Sequence, residues 1–236
     1  MHAALDSGPD PGLPAAVLWD MDGTLVDSEK VWTISLHDTA HRLGGELSAA
    51  AREAMIGSNM ARTMDLLYAD LGLDPDPARQ AETAGYLSAR TGELFAQGLV
   101  WRPGAREALE AVRAAGWPMA LVTNTERVLT ESALDVIGRE FFDATVCGDE
   151  VAHGKPEPDP YVRGAELLGV SPADCLAVED SPTGTLAAER AGAAVLVVPC
   201  DTTVDPGPGR VLRETLAGLT PADVRAAFDM VTAAVR

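Results

Sequence analysis

The stretch Ala15-Ala16-Val17-Leu18-Trp19-Asp20-Met21-Asp22-Gly23-Thr24 is a short apolar run that ends in two carboxylates and a glycine. An unbroken apolar run of this length reads as a strand buried on both faces. Gly23 permits a sharp turn directly after it. Ligands of open α/β sheets bind outside the carboxyl ends of strands, so Asp20 and Asp22 stand where chemistry is placed. Two acids so close repel each other unless a cation sits between them. Taken alone, the segment also fits an ordinary acidic turn.

Four more runs of the same kind follow at 119–123, 144–147, 175–178 and 193–199. Helical stretches are predicted at 104–115, 126–138, 159–169, 182–191 and 221–235. Asp159-Pro160 and Ser181-Pro182 read as N-caps followed by a proline in the first turn, and Thr220 with Asp223 opens the last helix. Gly116, Gly138, Gly169 and Gly192 stand where helices should end. Alternating strands and helices predict an α/β fold: a Rossmann-like parallel sheet core of five main strands with helices on both faces.

One connection breaks the rhythm. Roughly eighty residues separate Asp20 from the helix that feeds the second strand. A structureless loop of that length is uncommon. Residues 31–98 instead show apolar positions at helical spacing, such as Leu36, Ala40 and Leu43. The segment reads as an inserted all-helical cap domain, 31–98, hinged near Asp27–Lys30 and Gly98–Gly104. The core domain is then 15–30 with 99–236, after a flexible leader, 1–14, that lacks the basic start and apolar centre of a signal peptide.

Composition narrows the partners. Eighteen Lys and Arg against 36 Asp and Glu give a formal charge of −18, which repels nucleic acid and anionic membranes. No apolar run of about 18 residues is present to span a bilayer. The three cysteines, Cys147, Cys175 and Cys200, are far apart and read as small thiols in a reducing compartment, so a cytoplasmic location is expected. A monomer or weak dimer is expected. Only two of the cations are lysines, Lys30 and Lys155.

Lys155 belongs to a series of polar segments that fall at, or just after, the ends of the predicted strands. The second strand ends in Thr123-Asn124-Thr125, the third leads to Gly154-Lys155-Pro156-Glu157-Pro158, and the fourth ends in Glu179-Asp180-Ser181. Hydroxyls and amides at the start of a helix can hold phosphate oxygens or merely cap the helix. A lysine among acids neutralises them and reaches a phosphate. Asp20, Glu179, Asp180 and the Asp22 carbonyl make an oxygen-only set suited to Mg²⁺.

Together the four segments, DMDGT, VTNT, GKPEPDPY and VEDSPTG, strongly resemble the motifs of the haloacid dehalogenase-like superfamily, over about Ala15 to Val198. The insertion resembles that family's helical cap. The resemblance implies phosphoryl transfer through an aspartyl-phosphate, with a small phosphorylated metabolite as substrate. It implies Asp20 as nucleophile and Asp22 as acid and then base. It implies Mg²⁺ held by Asp20, the Asp22 carbonyl and Asp180, with Glu179 bound directly or through water. Thr123, Asn124 and Lys155 would cradle the phosphoryl group.

Several branches of the family are set aside by residues. A dehalogenase typically lacks the second acid, and Asp22 is present. A phosphonate hydrolase needs a cap lysine, and none lies between Val31 and Arg102. A sugar-phosphate mutase of the β-phosphoglucomutase type usually carries a His and an Arg where this chain has Trp32 and Met60, although Arg62 is near. Phosphatase is therefore the expected activity and mutase the alternative. A non-catalytic binding scaffold would have no chemical reason to keep Asp20 and Asp22. Ser58, Asn59 and Arg62, in the cap loop 57–62, are candidates for reading the substrate, although the loop also fits a plain helix connection. His37 and His41 stand four apart but lack the glutamate and third ligand of a zinc site.

Overall fold

The computed structural model of the chain describes residues 13–235. The predicted leader falls mostly outside them. Six parallel strands form one sheet: β1 (Ala16–Trp19), β2 (Met119–Val122), β3 (Ala144–Val146), β4 (Cys175–Glu179), β5 (Ala194–Val197) and β6 (Arg210–Leu212). Their order is β3-β2-β1-β4-β5-β6. β1 is central and pairs with β2 on one side and β4 on the other, so the order reverses beside it. That reversal opens the crevice in which doubly wound sheets bind ligands.

Alternate residues of β1 enter opposite cores. Val17 and Trp19 join one cluster, with apolar residues of α5 (Ala105–Ala114), α6 (Arg127–Ile137) and α9 (Pro221–Val235). Ala16 and Leu18 join the other, with Tyr161 and Ala165 of α7 (Asp159–Leu168) and Ala187 and Ala188 of α8 (Pro182–Ala191). Burial on both faces is why these strands read as unbroken apolar runs.

The sixth strand, β6, was not among the five expected. It is three residues long and half-exposed at the sheet edge, so it carries no apolar run. One cap also differs. Asp159 is the first helical residue of α7, its carboxylate 3.1 Å from His153 Nδ1, and makes no N-cap bond. Ser181 caps α8 as expected, its hydroxyl accepting from Gly184 N–H at 3.1 Å.

The insertion folds as four helices: α1 (Glu29–Arg42), α2 (Ala49–Ala54), α3 (Met60–Asp70) and α4 (Pro77–Phe95). They enclose their own core around Leu36, Met64, Leu67 and Leu87. The entering and leaving chains run side by side: Asp27 N–H donates to Val100 O at 2.8 Å and Arg102 N–H to Leu25 O at 2.9 Å. Two adjacent linkers are what a hinge between helices and sheet requires.

Candidate active site

Asp20 follows β1 directly, and its N–H donates to Val178 O of β4 at 3.0 Å, which locks the strand end in place. Gly23, at φ +84°, turns the chain back. A Cβ there would stand 2.2 Å from Asp180 Oδ2, so a side chain is excluded twice, by backbone and by space. The turn thus brings Asp180 against the Asp20–Asp22 segment. Oxygens of Asp20, Glu179 and Asp180 all lie within 4.8 Å of one another, and all three residues are buried.

Lys155 reaches into this cluster from the loop after β3. Its Nζ donates to Asp20 Oδ1 at 2.7 Å and to Glu179 Oε1 at 2.6 Å. Burial alone would lower its pKa, but the two carboxylates outweigh burial and hold the ammonium above the usual lysine range. Asp20 moves up to about 7, through burial and the Glu179 charge, against the pull of Lys155. Burial, with Asp20 and Glu179 nearby, also lifts Asp180 well above the carboxylate range.

Glu179 is enclosed by donors. Oε1 accepts from Lys155 and, at 2.6 Å, from the Tyr161 hydroxyl. Oε2 accepts from the N–H groups of Asp180 and Ser181 and from the Ser181 hydroxyl. The Lys155 ammonium also stands 5.0 Å from the centre of the Tyr161 ring. Glu179 and Tyr161 therefore fix the lysine head. By contrast, Asp20 Oδ2 is buried with no hydrogen-bond partner. A buried, orphaned carboxylate oxygen beside Asp180 is a costly feature without a cation, and an all-oxygen donor set is the kind Mg²⁺ takes. The residues therefore fit the metal.

Asp22 is held from two sides. Oδ1 accepts from Ser28 Oγ at 2.6 Å and Trp32 Nε1 at 3.2 Å, at the root of the cap. Oδ2 accepts from Thr123 Oγ1 at 3.1 Å and Thr125 Oγ1 at 2.7 Å, at the end of β2. All four donors engage the Asp22 side chain, which is not part of the Asp20–Glu179–Asp180 cluster.

The Asn124 carboxamide, expected to touch phosphate, is spent on the protein. Its nitrogen donates to Gly57 O of the cap at 2.9 Å and Lys155 O at 3.1 Å, and its oxygen accepts from Lys155 N–H at 2.7 Å. Asn124 thus holds the lysine loop and the cap loop together.

Cap and core residues together line a cavity over these groups. Of the cap-loop candidates, Ser58 lines it. Asn59 caps α3, its oxygen accepting from Arg62 N–H at 2.9 Å. Arg62 is exposed and lines a second cavity, beside His153 and Gly154. The cap arginine in the cavity with Asp20 and Asp22 is Arg52, paired with Glu29. Sequence reasoning passed over both, and over Tyr161. A tyrosine on the buried face of a helix needs a partner for its hydroxyl, which was the available signal for the last. His37 is half-buried, His41 exposed, and neither belongs to the acidic cluster. Burial pushes the Cys147 thiol up to about 11 and Cys175 up to about 12, so neither offers a thiolate near neutral pH.

Comparison with known proteins gives one consistent answer. The family described as haloacid dehalogenase-like hydrolase matches residues 14–192. Hexitol phosphatase A of Escherichia coli is 34% identical over 191 residues, covering 78% of this chain and 84% of that protein. The crystal structure of CbbY from Rhodobacter sphaeroides in complex with phosphate is 28% identical, covers 87% of this chain and 96% of its own, and superposes with a TM-score of 0.78. A β-phosphoglucomutase from Clostridium difficile, 17% identical, shares the fold over 95% of this chain and 100% of its own, with a TM-score of 0.85.

Proposed function

The chain belongs to the haloacid dehalogenase-like hydrolases, and on that footing we propose that it is a Mg²⁺-dependent phosphatase acting on a small phosphomonoester through an aspartyl-phosphate. The observation that carries this is the strand-end pair: Asp20 in contact with buried Lys155, and Asp22 two residues on, held apart from it by four donors.

The Asp20 carboxylate attacks phosphorus, forming the Asp20–phosphate bond as the ester P–O bond breaks. Asp22, protonated, delivers its proton to the departing alcohol oxygen. Water then attacks the aspartyl-phosphate, Asp22 takes its proton, and Asp20 is released with inorganic phosphate. Lys155 offsets charge on the phosphoryl oxygens, and Thr123, which lines the same cavity, orients Asp22 through its hydroxyl. Asn124 acts by fixing Lys155, leaving its main-chain N–H for the phosphate. Asp20, Asp180 and the Asp22 carbonyl would hold Mg²⁺, with Glu179 standing behind Lys155. The ion would supply the positive charge that keeps this acidic cluster ionised and lets an anionic ester approach.

Movement of the cap about the paired linkers would admit the ester and then exclude water during the chemistry. Nothing at the two marker positions favours the mutase alternative: Trp32 is a neutral donor to Asp22, and Met60 carries no charge. Among the described residues no helix is long and apolar enough to cross a membrane. The net charge of −18 repels nucleic acid and accords with a small metabolite as partner.

The test is release of phosphate from p-nitrophenyl phosphate and a panel of phosphorylated metabolites, with and without chelator. Hydrolysis that stops on chelation and returns with Mg²⁺ is expected. Full activity in excess chelator, or none with any ester, contradicts the proposal.

A further inference from the structure

Three charged side chains line the cavity and take no part in the phosphoryl chemistry: Glu126, which accepts from Ser88 Oγ at 2.6 Å, and the pair Glu29 and Arg52. Glu29 opens α1 and Arg52 lies on α2. Arg52 Nη2 is ion-paired to Glu29 Oε2 and donates to the Glu29 carbonyl at 3.0 Å, while Nε donates to Thr33 Oγ1 at 2.9 Å. The side chains are only 12% and 7% exposed. These bonds leave Arg52 Nη1 and Glu29 Oε1 without a protein partner, yet neither atom is sealed inside packed protein. Both residues line the cavity.

The geometry of Asp22 says what reaches that wall. A leaving-group oxygen must sit by Asp22 to receive its proton. Asp22 Oδ1 is held by Ser28 and Trp32, which flank Glu29 at the start of α1. The rest of the leaving group would then lie in the cavity that Glu29, Arg52, Leu36 and Met55 line. Arg62 and His153 line a second cavity, which Glu29 and Arg52 do not line.

A free carboxylate oxygen beside free guanidinium N–H groups offers one acceptor and two donors with the charges already cancelled. A hydroxyl, itself donor and acceptor, satisfies both. A second anion finds Arg52 neutralised and the Glu29 carboxylate repelling it. We propose that the Glu29–Arg52 pair selects an uncharged, hydroxyl-bearing leaving group, that of a sugar or polyol monophosphate, and rejects substrates with a second anionic group. This rests on the phosphatase reading above and adds the class of ester. It also bears on the mutase alternative, whose bisphosphate would need an unpaired cation here.

Sorbitol 6-phosphate and 6-phosphogluconate make a matched pair, alike except for a carboxylate at the far end of the second. Their kcat/KM ratio is measured with saturating Mg²⁺ for the wild type, Glu29→Gln and Arg52→Gln, each checked by circular dichroism. The wild type should prefer the polyol ester by about tenfold or more, the size of one lost polar contact. Glu29→Gln frees the arginine charge and should bring the ratio toward one. Arg52→Gln leaves the carboxylate alone and should widen it. A purely structural pair would move both variants the same way, and that result, or a wild-type ratio near or below one, overturns the proposal. Should Glu29→Gln not fold, the wild-type ratio and the Arg52→Gln arm still decide. Calorimetric binding of both esters to the Asp20→Asn protein separates the two claims. The expected binding ratio without any turnover would sink the phosphatase reading alone, turnover without the preference would sink the pair's role alone, and no binding of either ester would sink the latter.

Discussion

Replacing Lys155 by methionine removes the buried cation that contacts Asp20 and leaves a side chain of similar length. The lysine side chain is 3% exposed and makes two charge-assisted bonds, at 2.7 and 2.6 Å. In the transition state the same ammonium faces the phosphoryl oxygens, and one such contact is worth about 3 kcal/mol, or roughly a hundredfold in rate. Lys155→Met should therefore lower kcat/KM by about that factor or more. Removing one partner of a buried ion pair also costs about 3–5 kcal/mol when the other charge is stranded. Here protonation of Asp20, already lifted to about 7, relieves part of that cost. The variant should stay folded near pH 6 and lose stability toward pH 8. Lys155→Arg should not restore activity, because a planar fork does not fit the space of a compact ammonium between Asp20 and Glu179. The assay is steady-state hydrolysis of p-nitrophenyl phosphate at saturating Mg²⁺, with thermal melts at both pH values. Near wild-type turnover in folded Lys155→Met would refute the placement of this lysine in the chemistry.

Asp22→Asn should slow hydrolysis of alkyl phosphates by about 10²–10⁴-fold and spare the phosphorylation step with p-nitrophenyl phosphate, which needs little help from an acid; burst kinetics separate the steps. The free protein in chelator should lose stability as pH rises from about 5 to 8. Asp20 and Asp180 titrate higher when folded than unfolded, so the folded state holds more protons in that window and stability falls as they leave, on the order of a few kcal/mol. The gain in Tm on adding Mg²⁺ should accordingly be larger at pH 8 than at pH 5.5. Gly23→Ala should lower stability by at least about 1–2 kcal/mol from its positive φ alone and should weaken Mg²⁺ binding by displacing Asp180, as isothermal titration would show.

The sheet was legible because each central strand is buried on both faces and so stands out as an apolar run ended by polar residues. β6 was not, since a three-residue edge strand with an arginine at its start buries too little to leave a pattern. The strand-end acids were legible from β1 and β4 because position relative to a strand is a local property. What the sequence withheld depends on segments distant in the chain. The partners of Asn124 come from residues 57 and 155, and no spacing rule joins them. The choice between Arg52 and Arg62 turns on how the short helix α2 packs on α1. Both are cap arginines near the same loop, and only the pairing with Glu29 and Thr33 directs Arg52 inward.

Trapping the covalent intermediate tests the central claim most directly. Enzyme quenched during turnover and treated with borohydride should yield homoserine at position 20, because an acyl phosphate is reduced where a free carboxylate is not. Peptide mass spectrometry should find the change at Asp20, and no such product should form in the Asp20→Asn protein or in chelator. Phosphate release by a folded, Mg²⁺-loaded enzyme that never carries the label at Asp20 would contradict the account.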